Sequence, residues 1–104
     1  MISACKTILE CTQYREWDEF VTNKMLQDAL LYEIAIIGEA ANNVPRDYAE
    51  VHAEIPWASI AGMRHRVIHD YGHVNLQTVW ATATTDVPDI LAKPSDLNAI
   101  SDNP

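Results

Sequence analysis

The sequence is poor in several residue types, and each shortage argues against a class of protein. The two cysteines, Cys5 and Cys11, are six residues apart in a segment with helical spacing, so we expect free thiols in a reducing compartment, with an intermolecular disulfide as the alternative. No apolar run is long enough to cross a bilayer, and the first residues lack the pattern of a signal peptide, so we expect a cytoplasmic protein. Because 7 Lys and Arg stand against 15 Asp and Glu, the net charge of -8 argues against sequence-independent coating of nucleic acid.

Glycine and phenylalanine are also scarce, with 3 Gly and 1 Phe among 104 residues. The apolar residues that are present recur mostly at intervals of three and four, which is the periodicity of helices. A chain of this length has room for one core and one domain. We predict an all-α fold, an up-down bundle of four to five helices over residues 1–93, followed by a polar, disordered tail over residues 94–104.

The longest predicted helix lies within residues 21–44. Its apolar side chains cover more than half of its circumference, so it needs cover on two sides, from its own domain and, as one option, from a second subunit. Pro45 sets its end, because the residue before a proline is pushed out of the helical region. Pro56 is expected to open another helix, Asn75 to cap the last one, and Pro88 to kink or end it.

The cations and imidazoles of this acidic chain gather in one segment, GMRHRVIHDYGHVN at residues 62–75, which contains two of the seven Lys and Arg and three of the four His. If one helix runs through it, Val67 and Tyr71 face the core and Arg64 lies at the edge of that apolar stripe. A guanidinium in that position needs an anionic partner or an opening to solvent. On the same helix, Arg64 and His69 point in different directions, unless the helix ends near His69 or two chains combine their segments.

Each of these residues also has an ordinary structural interpretation. Arg64 then pairs with Glu33 or Glu39 of the long helix, and the histidines are polar surface residues. Three histidines at intervals of four also fit a zinc-binding face, although no Cys or second carboxylate pair stands near them in the sequence: His65, His69 and His73. Spacing alone favours a structural role.

The sequence around the segment is more specific. IPWASIAGMRHRVIHDYGHVNLQTVW, preceded by MLQDALLYEIAIIGEAANNV, closely resembles the HepT-like ribonuclease toxins of the HEPN superfamily, from about Ile8 to Ile90. The Arg-x4-His-x-Tyr motif of that family falls on Arg64, His69 and Tyr71. The resemblance implies a small helical domain that forms a two-fold homodimer, with the motifs of the two subunits facing each other.

The resemblance also implies an activity, a set of site residues and a partner. It implies an endoribonuclease without a metal or other cofactor, in which Arg64 and His69 are catalytic and His65 orients the RNA substrate. It further implies the toxin of a toxin–antitoxin pair, whose partner is a small nucleotidyltransferase that transfers AMP to Tyr71. The alternative is a catalytically silent helical domain that binds a nucleotide or such a partner through the same groove.

Overall fold

The computed structural model describes residues 1–69 and 73–92, and these residues are mostly helical. The helices and the two short strands, in chain order, are α1 (Ile2–Thr12), α2 (Trp17–Val21), α3 (Lys24–Asn42), α4 (Arg46–Val51), α5 (Trp57–Ala61), α6 (Met63–Val67), β1 (Ile68–His69), β2 (His73–Val74), α7 (Leu76–Ala81), a π-helical turn (Thr82–Asp86) and α8 (Val87–Leu91). The all-α class is confirmed. The predicted tail lies outside the described residues.

The core is built around α3, which packs against α1, α5 and α6. Its buried side chains recur at intervals of three and four, as the apolar stripe predicts: Leu26, Leu30, Ile34, Ile37 and Ala41. On the opposite face of α3, Met25 is 84% exposed and Tyr32 is 64% exposed. None of the helices in the described ranges combines the length and the apolar composition that a membrane span requires.

The helix ends follow local signals in the sequence. The long helix closes with Asn43 as its C-cap, two residues before Pro45. Pro56 directly precedes α5, as expected for a residue without a backbone N–H. The side chain of Asn75 accepts a hydrogen bond of 3.0 Å from the backbone N–H of Thr78 at the start of α7. These three predictions are confirmed, because each depends on residues that are neighbours in the chain.

A single helix through the cationic segment is wrong. Gly62 separates α5 from α6, and α6 already ends at Val67. Ile68 is extended, with φ −99° and ψ 118°, and pairs with Val74 in an antiparallel ladder. The reason is that the chain reverses direction between α6 and α7. The ladder supplies hydrogen bonds to the backbone on the two sides of this reversal. His65 therefore lies on a helix and His69 on a strand, so the histidines do not form the helical face assumed for zinc.

The last helix does not end at Pro88. It widens into the π-helical turn at residues 82–86 and then continues as α8 to Leu91. A proline in a helix lacks the N–H that would bond to the fourth preceding carbonyl, and its ring crowds that carbonyl. A π-helical turn is one way to relieve that crowding without breaking the helix. The described segments outnumber the predicted four to five, because this turn and Gly62 divide longer helical stretches and because the prediction does not include α2.

Candidate active site

A cleft of about 260 Å³ lies between the C-terminal half of α3 and the segment formed by α5 and α6. Its α3 side consists of Gly38, Glu39 and Asn42, which share one face of the helix. Its other side consists of Ala61, Arg64, His65 and Ile68. The volume is slightly below the range of about 300 Å³ upwards that is usual for pockets holding small molecules. The cationic segment therefore opens onto a recess of its own domain.

Gly38 sets the width of this cleft. A Cβ atom at Gly38 would lie 3.2 Å from the carbonyl oxygen of Ala61 and 3.7 Å from Cβ of Arg64. The first distance is shorter than nine in ten real contacts of a Cβ atom, so the backbone of Ala61 would have to shift by a few tenths of an ångström. The missing side chain thus allows α5 and α6 to approach α3 closely, which brings Arg64 to the edge of the cleft.

Arg64 and Arg66 have different surroundings, although they are two residues apart. Within the described residues, no carboxylate lies within ion-pair distance of Arg64, so the structural pairing with Glu33 or Glu39 is not found. Arg66 instead donates from Nη1 to the carbonyl oxygen of Ser59 at 3.0 Å, and its Nη2 lies 3.9 Å from Oδ2 of Asp86. Arg66 therefore joins parts of the fold, whereas Arg64 is exposed and lines the cleft.

The remaining predicted site residues follow Arg64 along the chain. His65 is exposed and lines the cleft beside Arg64. His69 is the second residue of β1, where its backbone is paired with His73. Because the chain leaves the helical path after Val67, the helical-wheel argument that separates Arg64 from His69 does not apply. Tyr71 lies outside the described residues, and the chemical roles given to all four residues stay predictions.

Glu39 and Asn42 line the cleft, and neither is among the site residues that the sequence predicts. One oxygen of Glu39, Oε1, accepts a hydrogen bond of 3.2 Å from Nδ2 of Asn43, and the side chains of Glu39 and Asn42 are both exposed. A signal for them exists in the sequence IGEAANN. A glycine inside an otherwise apolar helix indicates close packing, and polar residues one and four positions later lie beside it.

Glu33 is the other acidic residue of α3 that the structural interpretation pairs with Arg64. It is half-buried and does not line the cleft. Burial raises the pKa of its carboxyl group above the ordinary value, because a charged carboxylate is less stable away from water. Its effect is therefore on the stability of α3 rather than on the charge of the cleft.

In the two described ranges, no three side chains of His, Cys, Asp or Glu are close enough together to hold a metal ion. The predicted free thiols are found as such, with Cys5 buried and Cys11 half-buried. Burial raises the pKa of the Cys5 thiol to about 11, which makes it a poor nucleophile. The polar chemistry of the cleft thus comes from Glu39, Asn42, Arg64 and His65.

Comparison with known protein families decides what kind of chain carries this cleft. A family model described as Ribonuclease HepT-like matches residues 1–97, which is nearly the whole chain. The chain belongs to the HepT-like ribonuclease family. The match includes the cleft and the Arg-x4-His-x-Tyr motif, so the resemblance seen in the sequence is confirmed.

Individual members of the HepT-like family are similar over most of the chain. A protein of Thermococcus cleftensis named as a probable HepT ribonuclease is 37% identical over 90 residues, 86% of this chain and 82% of that protein. A protein of Caldanaerobacter subterraneus named as a candidate RNase is 33% identical over 86% of this chain and 80% of its own. Another candidate RNase, from Methanocaldococcus jannaschii, is 39% identical over 80% and 69%. No solved structure matches significantly.

These comparisons confirm the enzyme class that the sequence predicts. The HepT-like family is one of ribonucleases, and several relatives are named as RNases. RNA is thus the substrate class of the family, and the predicted endoribonuclease is supported. The cleft with its unpaired arginine is the part of the described fold best suited to a phosphate of such a substrate.

Proposed function

We propose that this HepT-like protein is the toxin of a toxin–antitoxin pair and cleaves RNA without a metal ion. One observation carries the proposal: in a chain of a ribonuclease family, Arg64 lines a cleft beside His65 and has no anionic partner among the described residues. An exposed guanidinium without a partner is available for the non-bridging oxygens of an RNA phosphate. The guanidinium of Arg66 is less available to a phosphate, because it donates a hydrogen bond to Ser59.

The proposed reaction uses the ribose itself as the nucleophile. The 2′-oxygen forms a bond to phosphorus, the bond to the 5′-oxygen breaks, and the products are a 2′,3′-cyclic phosphate and a 5′-hydroxyl. This reaction needs a group that takes the 2′-proton, a group that gives a proton to the 5′-oxygen, and positive charge at the phosphate. In the proposed site, His69 transfers protons, Arg64 stabilises the charge, and His65 orients the phosphate. DNA has no 2′-hydroxyl and is not a substrate.

The proposed enzyme is a two-fold homodimer. Met25 and Tyr32 are seven residues apart on α3, so they lie on the same face, and both are largely exposed. Large apolar side chains exposed on one face of a helix favour burial against another protein surface. In a dimer with the two motifs facing each other, the two copies of His69 divide the acid and base roles.

The proposed neutralisation is adenylylation of Tyr71 by a small nucleotidyltransferase. The phenolic oxygen of Tyr71 bonds to the α-phosphorus of ATP, and pyrophosphate leaves. The product places a negative phosphodiester and a bulky nucleoside seven residues after Arg64, where they compete with RNA for the guanidinium. The support for this step is the motif in the sequence of a HepT-like family member.

The cleavage proposal is tested with purified protein and labelled single-stranded RNA in the presence of EDTA. We expect cleavage that ends in 2′,3′-cyclic phosphate, a loss of at least about a hundredfold for Arg64→Ala and His69→Ala, and little change for Arg66→Ala. Arg66→Ala is the matched control, because it removes the same type of side chain from the same helix.

Two results would contradict the cleavage proposal. If Arg64→Ala and His69→Ala both cleave RNA as fast as the wild type, the assigned site is wrong. If the wild type cleaves nothing but still binds a nucleotide or a nucleotidyltransferase, the catalytically silent alternative replaces the enzyme.

The neutralisation step has its own experiment. The protein is incubated with ATP, magnesium and a small nucleotidyltransferase of the proposed antitoxin class, and its intact mass is compared with that of Tyr71→Phe. We expect a mass increase of one or more AMP groups in the wild type, none in the variant, and loss of RNA cleavage only in the modified sample. AMP attached to Tyr71→Phe as efficiently as to the wild type would show that Tyr71 is not the acceptor.

A further inference from the structure

The cleft holds groups of opposite charge on its two sides. Arg64 belongs to the α6 side and Glu39 to the α3 side, and the two do not form an ion pair. A site for a bare phosphate would have no use for a carboxylate, which repels anions. A carboxylate opposite a cation suits a ligand that carries both a negative group and a hydrogen-bond donor.

Glu39 makes one side-chain hydrogen bond at the edge of the cleft. Its Oε1 accepts a hydrogen bond from Nδ2 of Asn43, which leaves Oε2 as an acceptor for a ligand. Asn42, three residues after Glu39 on α3, also lines the cleft, and its side-chain amide has no hydrogen-bond partner among the described residues. An ionised carboxylate only accepts hydrogen bonds, whereas an amide both donates and accepts.

We propose that Glu39 and Asn42 select the base next to the phosphate bound by Arg64, and that they favour bases with an amino group on the pairing edge over uracil. The inference rests on the proposed function, since it takes RNA as the ligand of the cleft. Adenine, cytosine and guanine each carry an exocyclic amino group that donates to a carboxylate. Uracil presents one donor, the ring N3–H, between two carbonyl oxygens, and the partial negative charges of these oxygens disfavour close approach of the Glu39 carboxylate.

The preference arises in single-stranded RNA, because only unpaired bases expose their pairing edges to a protein. The amide of Asn42 adds a hydrogen bond to a neighbouring ring nitrogen or carbonyl of whichever base is bound. Glu39 therefore determines the selectivity, and Asn42 contributes affinity that depends less on the base.

Binding of uncleavable RNA tests this inference separately from catalysis. The probes are four 2′-O-methyl oligonucleotides of equal length that differ only in one central base: A, C, G or U. Their affinities for the wild type are measured by competition in fluorescence anisotropy. We expect the uracil probe to bind about tenfold more weakly than the other three.

Substitutions assign the selectivity to its residues. Glu39→Gln replaces an acceptor by a group that also donates, so we expect the preference against uracil to disappear. Asn42→Ala should weaken binding of all four probes by similar factors and keep the preference. Glu50→Gln is the matched control, because Glu50 is an exposed glutamate on α4 that does not line the cleft. It should leave both affinity and preference unchanged.

The outcomes separate this inference from the proposed cleavage. Equal affinities for all four probes, or an unchanged preference in Glu39→Gln, would overturn the base selection even if Arg64→Ala still abolishes RNA cleavage. Absence of binding to every probe would overturn it as well. A preference against uracil that Glu39→Gln removes would support it even in a protein that cleaves no RNA.

Discussion

Arg64 and Arg66 lie two residues apart on α6 and have different surroundings. Arg66 bonds to Ser59 and lies near Asp86, so Arg66→Ala removes contacts between α6, α5 and the π-helical turn. The arginine is partly exposed, so we expect a loss of about 1 kcal/mol in the free energy of unfolding. Arg64→Ala should change that free energy by less than about 0.5 kcal/mol. Urea denaturation measures the free energy of unfolding of both variants. A larger loss for Arg64→Ala than for Arg66→Ala would contradict the contacts described for the two arginines.

Glu33 predicts a dependence of stability on pH. Burial raises the pKa of its carboxyl group in the folded state above the unfolded value. A folded state with the higher pKa binds the proton more tightly, so the stabilisation is present at low pH and is lost as pH rises through the folded pKa. We therefore expect Glu33→Gln to raise the melting temperature at pH 7, and the gain to vanish below the ordinary Glu pKa of about 4.3.

The control for Glu33 is Glu10→Gln, on the exposed face of α1. At pH 7, Glu10→Gln should change the melting temperature less than Glu33→Gln does. The size of its effect should not fall at low pH in the way expected for Glu33→Gln. A gain for Glu33→Gln that is as large at pH 4 as at pH 7 would mean that side-chain shape, and not charge, is responsible.

The close contact between α3 and the segment formed by α5 and α6 depends on Gly38, which has no side chain. We expect Gly38→Val to lower the free energy of unfolding by about 1–3 kcal/mol, because its side chain meets the backbone of Ala61. It should also lower RNA cleavage, since α6 carries Arg64. Ala35→Val is the control: it adds the same branched side chain to α3 at a half-buried position. Thermal unfolding measures the stability of both variants. Equal losses of unfolding free energy in Gly38→Val and Ala35→Val would contradict the close approach of the helices at Gly38.

The short ladder of β1 and β2 decides where α6 ends. The backbone N–H of Asn75 donates to the carbonyl of Val67 at 3.0 Å, and Ile68 pairs with Val74. The reversal of the chain therefore begins directly after α6 and finishes directly before α7, which Asn75 caps. As a result, Arg64 and His65 lie three and two residues before the last residue of α6, close to the point where the chain turns back.

At the scale of the whole molecule, the net charge of -8 opposes the approach of RNA, and only the local cations favour it. Single-stranded RNA loses affinity with salt in proportion to the phosphates that are neutralised. If the site contacts only one or two phosphates per subunit, the affinity for RNA falls only slightly as the salt concentration rises. The chain is therefore expected to hold RNA through specific contacts in the cleft and not through a basic surface.

The proposed dimer also belongs to this scale. We expect the wild type to have the mass of two chains in sedimentation at micromolar concentration, and the double variant Met25→Asp/Tyr32→Asp to have the mass of one. Buried aspartates at a dimer contact are costly without a partner, which is why the variant should separate the chains. Tyr14→Asp is the control, because Tyr14 is 93% exposed in the turn after α1. A monomeric wild type would contradict the dimer.

The sequence by itself determined the all-α class, the buried stripe of α3, the end of that helix before Pro45 and the cap at Asn75. It also determined the family, and with it the ribonuclease class. These features depend on residues within one or two helical turns of each other, or on the order of letters in a motif. The roles of His69 and Tyr71 come from that motif too and stay predictions.

Only the tertiary structure decided that α6 ends at Val67, that Arg64 has no carboxylate partner in the described residues, and that Glu39 and Asn42 face it across a cleft. The end of α6 depends on pairing across a reversal of the chain, and the other two facts depend on how α3 packs against α5 and α6, which are far from it in the chain. The ladder joins residues on both sides of a reversal, and the cleft exists because Gly38 lets two helices approach. Periodicity and capping act within one segment, so they do not carry information about such contacts.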